Sequence, residues 1–181
     1  MTLAQMNWRP AIPGDIPDIN RIEARVHTFA PERPEVWLER MTLFGEGVLM
    51  LADGAQSFGY GACYPWLVRE VPALDTLLGQ LPAAPDCLFI HDVALVPEVR
   101  GRGFGAAFVA HAAHLAQARG LSHLALVSVY GTTDVWGRCG FALADARSEQ
   151  KMAIYGDTAR YMVAALAAPR GSSADPRRPQ P

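Results

Sequence analysis

The chain has 181 residues, half of them apolar and 19% charged, with a formal net charge of -2. Those figures suit one soluble globular domain with a sizeable core and give no electrostatic reason to expect a nucleic-acid partner. Cys63, Cys87 and Cys139 are too few and too widely spaced for a disulfide framework or a CxxC zinc site, and suit a reducing compartment. In chain order, Trp8 to Ile12 reads as a short strand. Asp15 stands where a helix N-cap belongs, and Ile16, Ile19, Ile22 and Val26 recur at helical spacing, so a helix is expected to about Phe29. Pro31 and Pro34 break it, and Val36 to Met41 reads as a short second helix carrying Trp37. Val48 to Ala52 and Phe58 to Tyr64 read as strands turning around Asp53-Gly54. Pro65 to Pro85 holds four prolines and a modest leucine pattern; a connecting loop with a short helix over Ala73 to Gln80 is expected there.

The most informative stretch is Leu88 to Gly120. An apolar strand interrupted by His91-Asp92 leads through Pro97 to Gly101-Arg102-Gly103-Phe104-Gly105, and then to an alanine-rich helix. Phe104, Phe108, Ala112 and Leu115 mark one face of that helix, and Gly120 takes the C-terminal cap position. Leu121 to Tyr130 reads as a buried strand, and a strand, helix, strand crossover of this length implies a parallel, right-handed pair. Thr132 to Cys139 reads as a short helix, Gly140-Phe141 as the entry to a strand, and Arg160 to Leu166 as the last strand. From residue 169 the composition turns to Pro, Arg, Ser and Gly, so a folded domain over residues 1–168 with a disordered tail over 169–181 is expected. No basic-then-apolar leader opens the sequence and no run approaches ~20 apolar residues. A cytoplasmic setting with no membrane contact is therefore expected.

A glycine-rich loop between a buried strand and a helix is an anion site: backbone N–H groups converge there and the helix dipole adds positive charge. Arg100 and Arg102 supply charge for phosphate oxygens. A P-loop needs GxxxxGK[ST], which is absent here. A dinucleotide fingerprint needs an acidic residue ending the next strand, where Ser128-Val129-Tyr130 stand instead.

Arg100-x-x-Gly103-x-Gly105, preceded by an apolar strand and Pro97, resembles motif A of the GNAT superfamily of N-acetyltransferases. Trp136-Gly-Arg-Cys-Gly-Phe141 resembles that superfamily's second signature, at the expected distance after the next strand. The element order agrees over roughly residues 8 to 166. Within the superfamily, IHDVALVPEVRGRGFG is similar to the corresponding stretch of the arylalkylamine N-acetyltransferase branch, which carries a His-x-His pair there. His91 takes the position of the second histidine and Phe89 replaces the first.

The resemblance implies an α/β (α+β) fold with a central mixed, mostly antiparallel sheet of six to seven strands flanked by helices. One parallel pair of strands is expected at the cofactor site. It also implies acetyl-CoA as donor substrate, with no metal. Pantetheine would lie along Val93, Ala94 and Leu95, a backbone N–H near Leu95 would hold the thioester carbonyl, and the phosphates would lie over Gly101, Arg102, Gly103, Phe104, Gly105 and Ala106, near Arg100. Trp136 occupies a position where many members place an acidic tyrosine; it reads as a wall on the cofactor, and its indole N–H offers no usable proton.

Acetyl transfer to an amine needs a base, a polarised carbonyl and a proton for the thiolate. Histidine titrates in the right range, and His91 is expected to be the general base. Strand alternation puts Asp92 on the opposite face unless a bulge intervenes. Tyr130 and Ser128 are the candidates for the acid, with water or direct thiolate release as alternatives. Cys139 has no evident base partner, which weakens a covalent route. His111 and His114 are spaced at i, i+3 without a third metal ligand.

Glu32, Glu35, Glu39, Asp145, Glu149 and Asp157, with Trp37, Trp66, Tyr64 and Tyr155, would suit a small cationic amine. The expected activity is acetyl transfer to a small primary amine in a ternary complex, by a monomer or homodimer. The competing reading is an acyl-CoA-binding sensor or partner-binding module, and a longer acyl donor remains open.

Overall fold

A computed structural model describes residues 6–27, 31–54 and 56–167. The strands β1 (Asn7–Pro10), β2 (Val48–Asp53), β3 (Gln56–Trp66), β4 (Cys87–Leu95), β5 (His123–Ser128), β6 (Ala142–Leu143) and β7 (Arg160–Ala165) form one seven-stranded sheet. Its order is β1-β2-β3-β4-β5-β7-β6, antiparallel throughout except for the parallel pair β4–β5. The fold is the expected one. Among the described residues no helix is long and apolar enough to cross a membrane.

Strand alternation divides the core between the sheet's two faces. On β2, Val48 and Met50 join Ile16, Ile19, Ile22 and Trp37 under α1 (Ile16–Val26) and α2 (Pro34–Phe44). Leu49 points the other way, toward Phe108, Ala112, Leu115 and Ala116 of α3 (Phe104–Ala118). Gly61 allows that helix to approach closely, since a Cβ there would sit 2.4 Å from the Phe108 ring. Gly120, at φ 68°, ends the helix in the left-handed conformation expected of it.

Several local expectations change. Asp15 precedes α1 without capping it: its carboxylate accepts bonds from Arg9 at 2.7 Å and from the Ile12 N–H at 2.8 Å. The helix ends at Val26, and Phe29 lies outside the described residues. The second helix is longer than expected. Two short helices, α4 (Thr133–Gly137) and α5 (Glu149–Ala153), follow β5, and α5 had no distinct signature in the sequence.

No helix forms over Ala73 to Gln80. Three backbone donors of this segment are taken by side chains from elsewhere. Asp75 N–H donates to Glu32 at 2.9 Å, and the N–H groups of Leu78 and Gly79 donate to Glu39 at 2.7 and 2.9 Å. Leu74, Leu78 and Leu81 still rest against the core, so the leucine pattern marks burial of an irregular loop. The expected tail over 169–181 lies outside the described residues.

Candidate active site

Two departures from regular sheet structure build the site. The first is a divergence: β4 pairs with β5 only from Cys87↔His123 to Ile90↔Leu126. Beyond Ile90, β4 continues along β3 as far as Leu95, while β5 continues along β7. A slot opens between Val93 and Leu95 on one side and Val127, Val129 and Tyr130 on the other. The second departure is a bulge. Ala62 pairs with Asp92 and Cys63 with Ile90, so His91 is the extra residue on β4. His91 and Asp92 consequently line the same cavity, the bulge being the exception that strand alternation allows.

The cavity has a volume of about 830 Å³ and runs from the slot to the glycine loop. Gly101 and Gly103 have φ values of 73° and 85°, so side chains at either position would be strained. A Cβ at Gly101, Gly103 or Gly105 would meet nothing within 4 Å; the space in front of the first turn of α3 is open. Unpaired first-turn N–H groups of a fifteen-residue helix face that space. Trp8 Nε1 fixes the turn from behind by donating to the Phe104 carbonyl at 3.1 Å. A pyrophosphate fits there, with Arg100 lining the cavity and anchored by its Nε to the Leu95 carbonyl at 2.9 Å.

Most of the sequence-derived cofactor residues come together here: Val93, Leu95, Arg100, Gly101, Gly103, Phe104, Gly105, Ala106 and Trp136 all line the cavity. Ala94 and Arg102 do not. Ala94 is buried on the α1–α2 face, and Arg102 is exposed outside the lining. Trp136 donates its Nε1–H to Thr132 Oγ1 at 3.1 Å and meets the Phe141 ring edge-on, as a fixed wall would.

His91 sits between two partners. Its Nε2 lies 3.0 Å from Glu32 Oε1, and its Nδ1 lies 3.1 Å from the Tyr64 hydroxyl. With the carboxylate accepting from Nε2–H, the neutral ring accepts the Tyr64 hydroxyl proton at Nδ1. A second histidine–carboxylate pair lies beside it: His27 Nε2 is 2.8 Å from Asp92 Oδ2, which also accepts from the Tyr60 hydroxyl at 2.5 Å. His27 Nδ1 is 3.3 Å from the Tyr130 hydroxyl. Tyr130 thus joins the cavity, held at φ 54° beyond β5. Ser128 does not: it is 1% exposed, and its hydroxyl bonds Thr132 Oγ1 at 3.1 Å.

The electrostatics differ sharply among the carboxyls. Burial pushes Glu32 up, but His91, the Asp75 N–H and Arg40 outweigh it and hold Glu32 down at about 2. Glu23 has weaker support. Burial, with Asp92 and Glu32 adding repulsion, raises it to about 7 against the opposing Glu32 N–H and His27. Burial works against charge on His27, yet Asp92 and the more distant Glu23 and Glu32 raise its pKa.

Glu23, His27 and Tyr60 were missed from the sequence. The first two sit at the end of α1 with no spacing that sets them apart from an ordinary amphipathic helix. Of the acceptor residues read from composition, Glu32 and Tyr155 line the cavity. Glu35 pairs with Arg33, Glu39 holds the 78–79 loop, and Trp37 belongs to the core. Cys139 lines the cavity's outer part. His111 bonds the Glu46 carbonyl, and no metal-sized cluster of ligating side chains occurs among the described residues.

A diverging parallel strand pair beside a glycine loop at a helix N-terminus fits the arrangement expected of an acyl-CoA-dependent acyltransferase. The sequence profile described as "Acetyltransferase (GNAT) family" matches residues 16–141, most of the chain, and the protein belongs to that family. It is an N-acetyltransferase-family enzyme whose donor is an acyl-CoA. A search of curated proteins finds none that matches.

Among solved structures, the fold is similar to the ribosomal-protein-S18-alanine N-acetyltransferase from Escherichia coli. The two are 18% identical over 92% of this chain and 98% of that one, with TM-score 0.63. It is similar to Ard1 from Thermoplasma volcanium, 15% identical over 90% and 98% of the two chains, with TM-score 0.67. It also resembles the GNAT-like decarboxylase GphF in complex with isobutyryl-CoA, 17% identical over 89% and 100%, with TM-score 0.71. At these identities the likeness is one of fold alone.

Proposed function

We propose that the protein transfers the acetyl group of acetyl-CoA to a small primary amine, by direct attack within a ternary complex. The observation that carries this reading is the cavity itself: it runs from the glycine loop to an enclosed end lined by Glu23, Glu32 and Asp92. Buried carboxylates favour a cationic guest, and Leu74, Ile90 and Tyr155 supply apolar walls. An enclosed end suits a small molecule better than a protein chain.

In this reading a backbone N–H near Leu95 polarises the thioester carbonyl, and His91 is the general base. Glu32 orients the imidazole and stabilises the imidazolium. The Tyr64 hydroxyl, which donates to neutral Nδ1, turns to accept from the protonated ring. Nε2 already carries a hydrogen, so the proton enters at Nδ1, relayed by the Tyr64 hydroxyl that donates to it. A second reading is favoured by the His27–Asp92 pair, which lines the same cavity: His27, backed by Asp92, is the base, and Tyr130, whose hydroxyl lies 3.3 Å from His27 Nδ1, supplies a proton to the thiolate. Tyr130 is the better placed of the two sequence-derived acid candidates, Ser128 being buried outside the cavity.

Thiol release from acetyl-CoA across a panel of amines tests the function. Release that depends on a small primary amine supports it. Acetylation of peptides alone, or binding of CoA without turnover, overturns it.

A further inference from the structure

Two buried carboxylate oxygens in the cavity, Glu23 Oε2 and Glu32 Oε2, have no hydrogen-bond partner among the described residues. Their residues are only 2% and 4% exposed, and both line the cavity's enclosed end. The remaining oxygens are used: Glu23 Oε1 accepts from the Glu32 N–H at 3.0 Å, and Glu32 Oε1 receives His91 and the Asp75 N–H. An unpaired buried carboxylate oxygen is costly, and such groups in folded proteins are matched by a partner. Arg40 bonds neither oxygen: its Nη groups are directed to Glu39 and to the Thr76 carbonyl, and its buried Nε has no partner among the described residues. The unbalanced negative charge also shows in Glu23, which burial and its carboxylate neighbours raise to about 7.

The missing partner is therefore a donor that carries positive charge. The amine that attacks the thioester does not meet this need, since it must be uncharged to react. We infer that the acceptor is a small diamine, one nitrogen of which stays protonated between Glu23 and Glu32 while the other is acetylated. The inference rests on the amine acetyltransferase reading and deepens it. The bound ammonium donates N–H bonds to Glu23 Oε2 and Glu32 Oε2, and the apolar lining from Leu74 to Tyr155 covers the carbon linker. The distal nitrogen takes no part in the bond changes, so it sets specificity and leaves the chemistry to the slot.

Calorimetric titration of the full chain, saturated with CoA, with diaminobutane, butylamine and butanol tests the cation site without turnover. Thiol release from acetyl-CoA with the two amines tests the diamine, which should react at least ~10-fold faster than butylamine because a second nitrogen is free to attack. Diaminobutane and butylamine should each bind about 30-fold more tightly than butanol, the scale of a charged hydrogen-bonded contact. Glu23→Gln, checked for retained CoA binding, should remove most of that preference. Equal affinity of the three probes for the wild-type protein overturns the inference, whether or not the variant folds. If amines release thiol but diamine and monoamine do so equally well, the diamine inference fails and the acetyltransferase reading stands. If no amine releases thiol while the two amines still bind more tightly than butanol, the reaction fails and the cation site stands.

Discussion

The Nε2 of His91 lies 3.0 Å from Glu32 Oε1, joining the bulge of β4 to the segment between α1 and α2 across 59 positions of sequence. The side chains of both residues are almost wholly enclosed. The bond ties the bulge of β4 to the carboxylate-lined part of the cavity, so a change at either residue alters the orientation of the other.

The two base assignments separate by mutation. If His91 is the base, His91→Ala lowers turnover by ~10²-fold or more with CoA affinity nearly unchanged, and His27→Gln costs much less. The reverse ranking assigns the base to His27, and Asp92→Asn should then follow His27→Gln. Steady-state kinetics over a range of pH, with CoA titration as the control, reads the difference.

The glycine loop makes a sharper prediction about binding than about stability. Gly105 sits in ordinary helical conformation with open space before it, so Gly105→Val should leave the melting temperature nearly unchanged. The added side chain occupies the space assigned to the pyrophosphate and should weaken CoA binding by about 30-fold or more. At Gly103, with φ 85°, Gly103→Ala should also cost stability, by about 1 kcal/mol. Thermal melting and CoA titration on the same samples check both.

Glu23 predicts an unusual pH dependence of stability. Its folded pKa of about 7 lies above the ordinary 4.5, so the folded state binds the more protons between those values. Stability from this group is therefore lost as pH rises from about 4.5 to about 7, and the cost persists above that. Glu23→Gln should melt higher than wild type at pH 8, by a margin corresponding to ~3 kcal/mol at most, and show little gain near pH 4.5. A variant that melts lower at every pH would contradict this account of Glu23.

Tyr130→Phe removes the hydroxyl 3.3 Å from His27 Nδ1 without altering the apolar wall. If that hydroxyl protonates the leaving thiolate, kcat falls by ~10²-fold and KM for acetyl-CoA changes little. Ser128→Ala, at a buried position outside the cavity, should have a far smaller effect on kcat.

The glycine-loop part of the cavity was legible in the sequence because it depends on local features. A glycine loop after an apolar strand, Arg100, and the Trp136 to Phe141 signature each lie within a few residues of chain. The carboxylate-lined part depends on tertiary placement. Residue-by-residue alternation on β4 gave the wrong face for Asp92, since the bulge at His91 is visible only in the pairing with Ala62 and Cys63. Glu23 and His27 are ordinary polar positions of an amphipathic helix until α1 is laid against the slot. The helix expected over Ala73 to Gln80 failed for a related reason: Glu32 and Glu39 take its backbone donors from a distance.

The central claim is that the slot and its carboxylate-lined end together form an amine acetyltransferase. The most direct measurement is thiol release from acetyl-CoA by the purified chain with and without small primary amines, with mass detection of the product. The account predicts amine-dependent release matched by an N-acetylated amine gaining one acetyl group. Tight CoA binding with no acetylated small amine from any member of the panel would contradict it.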